Sequence, residues 1–77
     1  MINQGEYDDL QRKAKPEGIF FQPVTRQRDD VTEHGYTPHD YNIDTGDVSA
    51  HSIVTEKDGT PKFFTYDDAL RFLGSQF

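Results

Sequence analysis

Lys62-Phe63-Phe64-Thr65-Tyr66-Asp67-Asp68-Ala69-Leu70-Arg71-Phe72-Leu73-Gly74 changes from a strand-like to a helix-like pattern at a single residue, Thr65. Phe63 and Phe64 follow Asp58-Gly59, a pair that suits a tight hairpin turn because both residue types tolerate positive φ. Thr65 stands as an N-cap, where a hydroxyl takes up an otherwise orphan amide of the first helical turn. Asp67 and Asp68 fall in that first turn, where the helix dipole favours negative charge, and Arg71 falls later, where it favours positive charge. Tyr66, Ala69, Leu70 and Leu73 recur at helical spacing as a buried stripe, with Phe72 beside it, Phe77 extending it and Gly74 ending the helix.

Upstream of this stretch, Tyr41 and Ile43 alternate into an Asp44-Thr45-Gly46-Asp47 turn. Val48, Ala50 and Val54 then line one side of a further strand, with Ile53 breaking the alternation, so a three-strand meander ending at Phe64 is predicted. Residues 26–39 are polar, contain Gly35 and Pro38 and show no clear period, which reads as a long loop of functional interest. Residues 19–25 are apolar and β-branched and read as a strand. Pro23 cannot donate to a ladder, which confines that strand to an edge or a bulge. The first helix is signalled by Asn3 as N-cap, Glu6 three residues on, an Ile2–Tyr7 staple, and Tyr7, Leu10 and Ala14 on one face; Pro16 and Gly18 end it. The predicted fold is α+β: a small antiparallel sheet of three to four strands with an N-terminal and a C-terminal helix packed on one face, within one domain spanning 1–77.

A chain of 77 residues supports one thin core, and with 32% hydrophobic residues, 6 Phe and 4 Tyr among them, aromatics must supply much of it. No cysteine is present, which leaves no disulfide, thiolate metal site or thiol nucleophile. No apolar run is long enough for a membrane span, and the N-terminus lacks a signal-peptide layout, so the expected location is the cytoplasm, away from any membrane.

Charge is the most informative global feature. The net charge of −6 is unevenly spread: Asp29, Asp30, Glu33, Asp40, Asp44, Asp47 and Glu56 lie in a stretch with no Lys or Arg. Arg12, Lys13, Lys15, Arg26 and Arg28 precede it against one acid, Glu17. Acids also solvate turns and sheet faces for purely structural reasons. The functional reading is an acidic surface at residues 29–56, with Tyr36 and Tyr41 as exposed anchors, that docks on a protein with a basic surface. The alternatives are a nucleic-acid contact through the five basic residues, and a structural homodimer covering the Pro23 edge strand or the Phe72–Phe77 terminus.

The chemistry-bearing residues do not assemble into a motif. His34 and His39 are five apart and have no companion Glu placed as a hydrolytic zinc site requires, and His51 adds no ligand spacing. Asp40-Tyr41-Asn42-Ile43-Asp44 supplies oxygens in calcium-loop order, but the required Gly and terminal carboxylate positions are Thr45 and His51. Ser49 and Ser52 lack a nucleophile elbow, and the paired acids Asp8-Asp9, Asp29-Asp30 and Asp67-Asp68 are loop or first-turn features. The expectation is therefore no enzyme activity, no metal and no cofactor.

The strand, Asp58-Gly59 turn, strand and Thr65-capped helix over 48–73 resembles the sheet-and-helix layout of AP2-type and integrase arm-type DNA-binding domains. Those families present a basic sheet face, whereas Asp47 and Glu56 here offset Lys57 and Lys62, so the resemblance is one of layout. Size, acidity and lack of cysteine fit better with the accessory or inhibitor proteins of phages, plasmids and other mobile elements, some of which place carboxylates where phosphates would sit.

Overall fold

The computed structural model describes residues 3–76, with side chains through Ser75. Its elements are α1 (Gln4–Ala14), a short 3-10 turn (Lys15–Glu17), β1 (Ile19–Arg28), β2 (Val31–Tyr41), β3 (Val48–Ser52) and α2 (Tyr66–Gln76). The three strands form an antiparallel sheet in the order β1-β2-β3, and the two helices share its core-side face, giving the expected α+β architecture.

Capping chemistry places α1. The Glu6 N–H donates to Asn3 Oδ1 at 3.1 Å, and Gly18 closes the following turn at φ 77, a left-handed conformation that costs glycine nothing. The staple partner Ile2 lies outside the described residues. Leu10 and Ala14 are buried as their spacing requires, with Tyr7 packed against them. Gln11 is buried as well. Its Nε2 donates to the Phe21 carbonyl at 2.6 Å, and the Phe21 N–H donates to its Oε1 at 3.2 Å. The side-chain amide thus stands in for the backbone of a neighbouring strand at the edge of β1.

Residues 26–39 are not a loop. β1 continues to Arg28, Asp29 and Asp30 form a two-residue turn with φ 49 and φ 65, and β2 returns in unbroken register from Arg28↔Val31 to Ile19↔Asp40. Two consecutive positive-φ residues match the twist of the flanking strands, and Asp enters that region more readily than most residues. Gly35 and Pro38, which look like breakers, each have a place in β2. A Cβ at Gly35 would stand 2.5 Å from both the Phe63 ring and the Phe64 carbonyl oxygen, so only glycine fits beneath that ring. Pro38 sits where the neighbour of β2 changes from β3 to Phe64. Only its carbonyl is used on that side, accepting the Ile53 N–H at 2.7 Å.

The sheet is a three-strand meander, but not the one expected. The Tyr41 strand is the end of β2, and the expected strand at 62–64 is reduced to a bridge in which Phe64 and Tyr36 exchange both backbone bonds at 2.8 Å. The Asp58-Gly59 turn is present, with the Glu56 N–H on the Thr60 carbonyl at 2.7 Å, but it joins two short bridged segments rather than two strands. The likeness in layout over 48–73 is weakened accordingly, since most of the sheet lies N-terminal to it.

Thr65 and Asp68 form a reciprocal cap on α2. The Asp68 N–H donates to Thr65 Oγ1 at 3.1 Å and the Thr65 N–H to Asp68 Oδ2 at 3.4 Å. Gly74 does not end this helix, which runs to Gln76; Gly74 is exposed, and the Ser75 hydroxyl bonds back to the Phe72 carbonyl at 2.9 Å. Phe77 lies outside the described residues. Leu10, Ala14, Ile19, Phe21, Tyr36, Phe64, Ala69 and Leu73 make the core. Phe72 meets the rings of Phe21 and Phe64 edge-on, with centroids 6.2 and 5.6 Å away.

Candidate functional site

The hairpin redistributes the charge polarity of the sequence. Antiparallel pairing sets Arg26 opposite Glu33, and the guanidinium donates to both carboxylate oxygens, at 3.1 and 3.3 Å, while lying 4.2 Å from the centre of the Phe63 ring. Arg26 accordingly holds the Glu33 carboxyl below its ordinary range. Arg28 ends β1 immediately before Asp29 and Asp30. Arg12 and Lys13 both reach Asp9 on α1, at 3.3 and 2.9 Å. Lys15 lies between the rings of Phe20 and Tyr41, 5.8 and 5.7 Å from their centres. Three of the five basic residues are thus already ion-paired, and Lys15 lies against aromatic rings.

The acidic stretch is likewise divided between the two ends of β2. Asp29 and Asp30 occupy the exposed β1–β2 turn, Glu33 is neutralised, and Tyr36 is in the core at 3% exposure. Tyr36 is thus no exposed anchor, and burial pushes its phenol pKa up. It was misread because residues 35–39 are buried on both faces of the sheet although their sequence is polar. The buried polar groups are satisfied: Thr37 Oγ1 lies 2.7 Å from Ser52 Oγ, and His39 Nδ1 2.8 Å from the Ser49 carbonyl.

At the other end of β2, Asp40, Asp44 and Asp47 are all exposed, and none makes an ion pair among the described residues. Their turn is firmly built. Asn42 Oδ1 accepts the N–H groups of Asp44 and Thr45 at 2.9 and 3.2 Å, and the Asn42 N–H donates to the Asp47 carbonyl at 2.8 Å. Tyr41 is half-buried opposite Val48 in the register. Ile43 in the turn is 60% exposed and Val48 39%. The sequence marks the aspartates and Tyr41 as contact residues, whereas Ile43 and Val48 are read from it only as strand positions.

A second feature has no counterpart in the sequence reading. An open groove of about 550 Å³ runs between α2 and the 54–64 segment, with an apolar floor of Val54, Phe63, Phe64 and Phe72. Lys62 and the paired Asp68 and Arg71 border it. The Ser75 hydroxyl there bonds to the Phe72 carbonyl, and among the described residues no histidine lines the groove. Among the described residues no group of three or more His, Cys, Asp or Glu is arranged to hold a metal ion. No helix there is long and apolar enough to cross a membrane. Comparison with family models, with curated proteins and with solved structures finds no match.

Proposed function

We propose that the protein is a non-enzymatic, cytoplasmic binding module of the accessory or inhibitor type carried by mobile elements, and that it docks its β2–β3 end on a basic surface of another protein. The observation that carries this reading is the exposure of Ile43 and of Val48, the strand partner of Tyr41, in a segment that also carries the exposed Asp40, Asp44 and Asp47. A turn gains no stability from an isoleucine in water, whereas an interface gains from an apolar centre that a partner dries. Carboxylates in the same segment without an ion pair among the described residues would steer a basic partner and fix its register. The proposed contact surface leaves out the buried Tyr36 and the ion-paired Glu33, and it favours this end over Asp29 and Asp30, which are exposed at the other end of β2.

The test is capture of partners from lysate by the tagged wild-type chain, by Asp40→Lys/Asp44→Lys/Asp47→Lys, and by Ile43→Ser/Val48→Ser. Each variant is first checked for an unchanged circular dichroism spectrum. Both variants should lose the same nuclease-resistant protein partner. A partner retained by the triple reversal removes the acidic-rim reading, and one lost on nuclease treatment makes nucleic acid the ligand.

A further inference from the structure

The outer edge of β1 presents backbone groups in a pattern that complements itself. In an antiparallel strand the N–H and C=O of one residue point to the same side, and the side alternates along the chain. Phe21 sends both groups away from β2 onto the Gln11 amide, so Pro23, Thr25 and Gln27 face the outer edge as well. The register with β2 is unbroken, which carries this alternation to the end of the strand. Gln11 on α1 closes the edge at Phe21, and the turn closes it at Asp29. Among the described residues the open window therefore spans residues 23–27 and has Thr25 at its midpoint. Within it Pro23 offers only an acceptor, while the exposed residues Thr25 and Gln27 offer a donor and an acceptor each.

We infer that this edge pairs with the same edge of a second copy, across a two-fold axis through Thr25, joining two three-stranded sheets into one. A strand meeting itself on a two-fold axis is necessarily antiparallel. With the axis on Thr25, the two Thr25 residues exchange both backbone bonds, and each Gln27 N–H meets the Pro23 carbonyl of the other copy. The missing Pro23 donor leaves only one exposed carbonyl per copy, that of Gln27, to water. The window is filled from end to end without displacing α1. Moving the axis to Arg26 also aligns donors with acceptors, but it sets Arg26 against Arg26 at the closest cross-strand separation, where like charges repel. The Thr25 axis instead sets Arg26 opposite the half-buried Val24.

Sedimentation equilibrium of the full chain from about 10 µM to about 1 mM should show the mass rise from 8.9 kDa toward twice that value. Thr25→Pro deletes the central donor without touching a β1–β2 bond and should abolish the rise. Thr25→Lys, which opposes like charges on the axis at an exposed position, should do the same if proline disturbs the strand. Because the chain has no cysteine, single cysteines report the register. Hydrogen-bonded antiparallel partners have Cα atoms about 5.5 Å apart, within the preferred range for a disulfide. Thr25→Cys should therefore oxidise to a covalent dimer faster than Arg26→Cys or Gln27→Cys. A chain that keeps its monomer mass throughout, a dimer indifferent to both substitutions at Thr25, or faster cross-linking at position 26 would each overturn the inference.

Discussion

The Tyr66 hydroxyl donates to Asp9 Oδ2 at 2.6 Å and so ties α2 to α1 across the top of the core. That bond, with help from Lys13, holds the Asp9 carboxyl below its ordinary value, and the same bond pushes the Tyr66 phenol up to about 12. A depressed carboxylate contributes stability above its unfolded pKa and loses it as pH falls through the folded value. A raised phenol contributes below its unfolded pKa and loses that contribution as pH climbs from 10 toward about 12. Tyr66→Phe should therefore lower the thermal midpoint most between about pH 5 and pH 9, with the gap to wild type narrowing in acid and in strong alkali. A gap independent of pH contradicts the tie. Gly35 gives a steric prediction of the same scale. Its absent Cβ is required by the Phe63 ring and by the Phe64 backbone, and backbone yields less easily than a side chain. Gly35→Ala should cost about 1–3 kcal/mol in urea unfolding, the usual range for overpacking, and Phe63→Ala should recover only part of it.

Among the elements, the helix starts were legible because they are written in side-chain chemistry: Asn3 and Thr65 each accept the N–H three residues on, as an N-cap does. β2 was not legible. Its turn carries Asp-Asp where a glycine or asparagine would have announced it, and its interior carries Gly35 and Pro38 for reasons that depend on Phe63 and on a change of neighbouring strand. Two substitutions follow. Asp30→Gly removes a left-handed conformation from a residue with a Cβ and should stabilise the chain by about 1 kcal/mol. Gly74→Ala places a methyl group in open space inside an exposed stretch of helix and should stabilise it by about 0.5–1 kcal/mol. Chemical denaturation measures both, and a loss of stability at Gly74 contradicts the continuation of α2 through that residue.

At the scale of the whole molecule, a sequence polarised into basic and acidic runs folds into a particle whose charges are partly paired. β1 carries one end of the basic run back along the start of the acidic run, and Arg26 meets Glu33. Five of the remaining acids are left at opposite ends of an eleven-residue strand, Asp29 and Asp30 at one and Asp40, Asp44 and Asp47 at the other, with Glu56 in the later bridged turn. The second end has two exposed apolar residues beside its acids, Ile43 and Val48, together with the half-buried Tyr41, whereas the first has the exposed Val31 alone. Composition revealed that acids were in excess but could not place them, because position follows from the β1–β2 register. The central claim is that one end binds, and it is tested most directly by comparing the two ends at equal change of charge. Partner capture is measured for Asp29→Lys/Asp30→Lys and for Asp44→Lys/Asp47→Lys, each reversing two carboxylates. The account predicts capture by the first variant at the wild-type level and its loss in the second. Equal loss in both would mean that net charge, rather than the β2–β3 end, holds the partner.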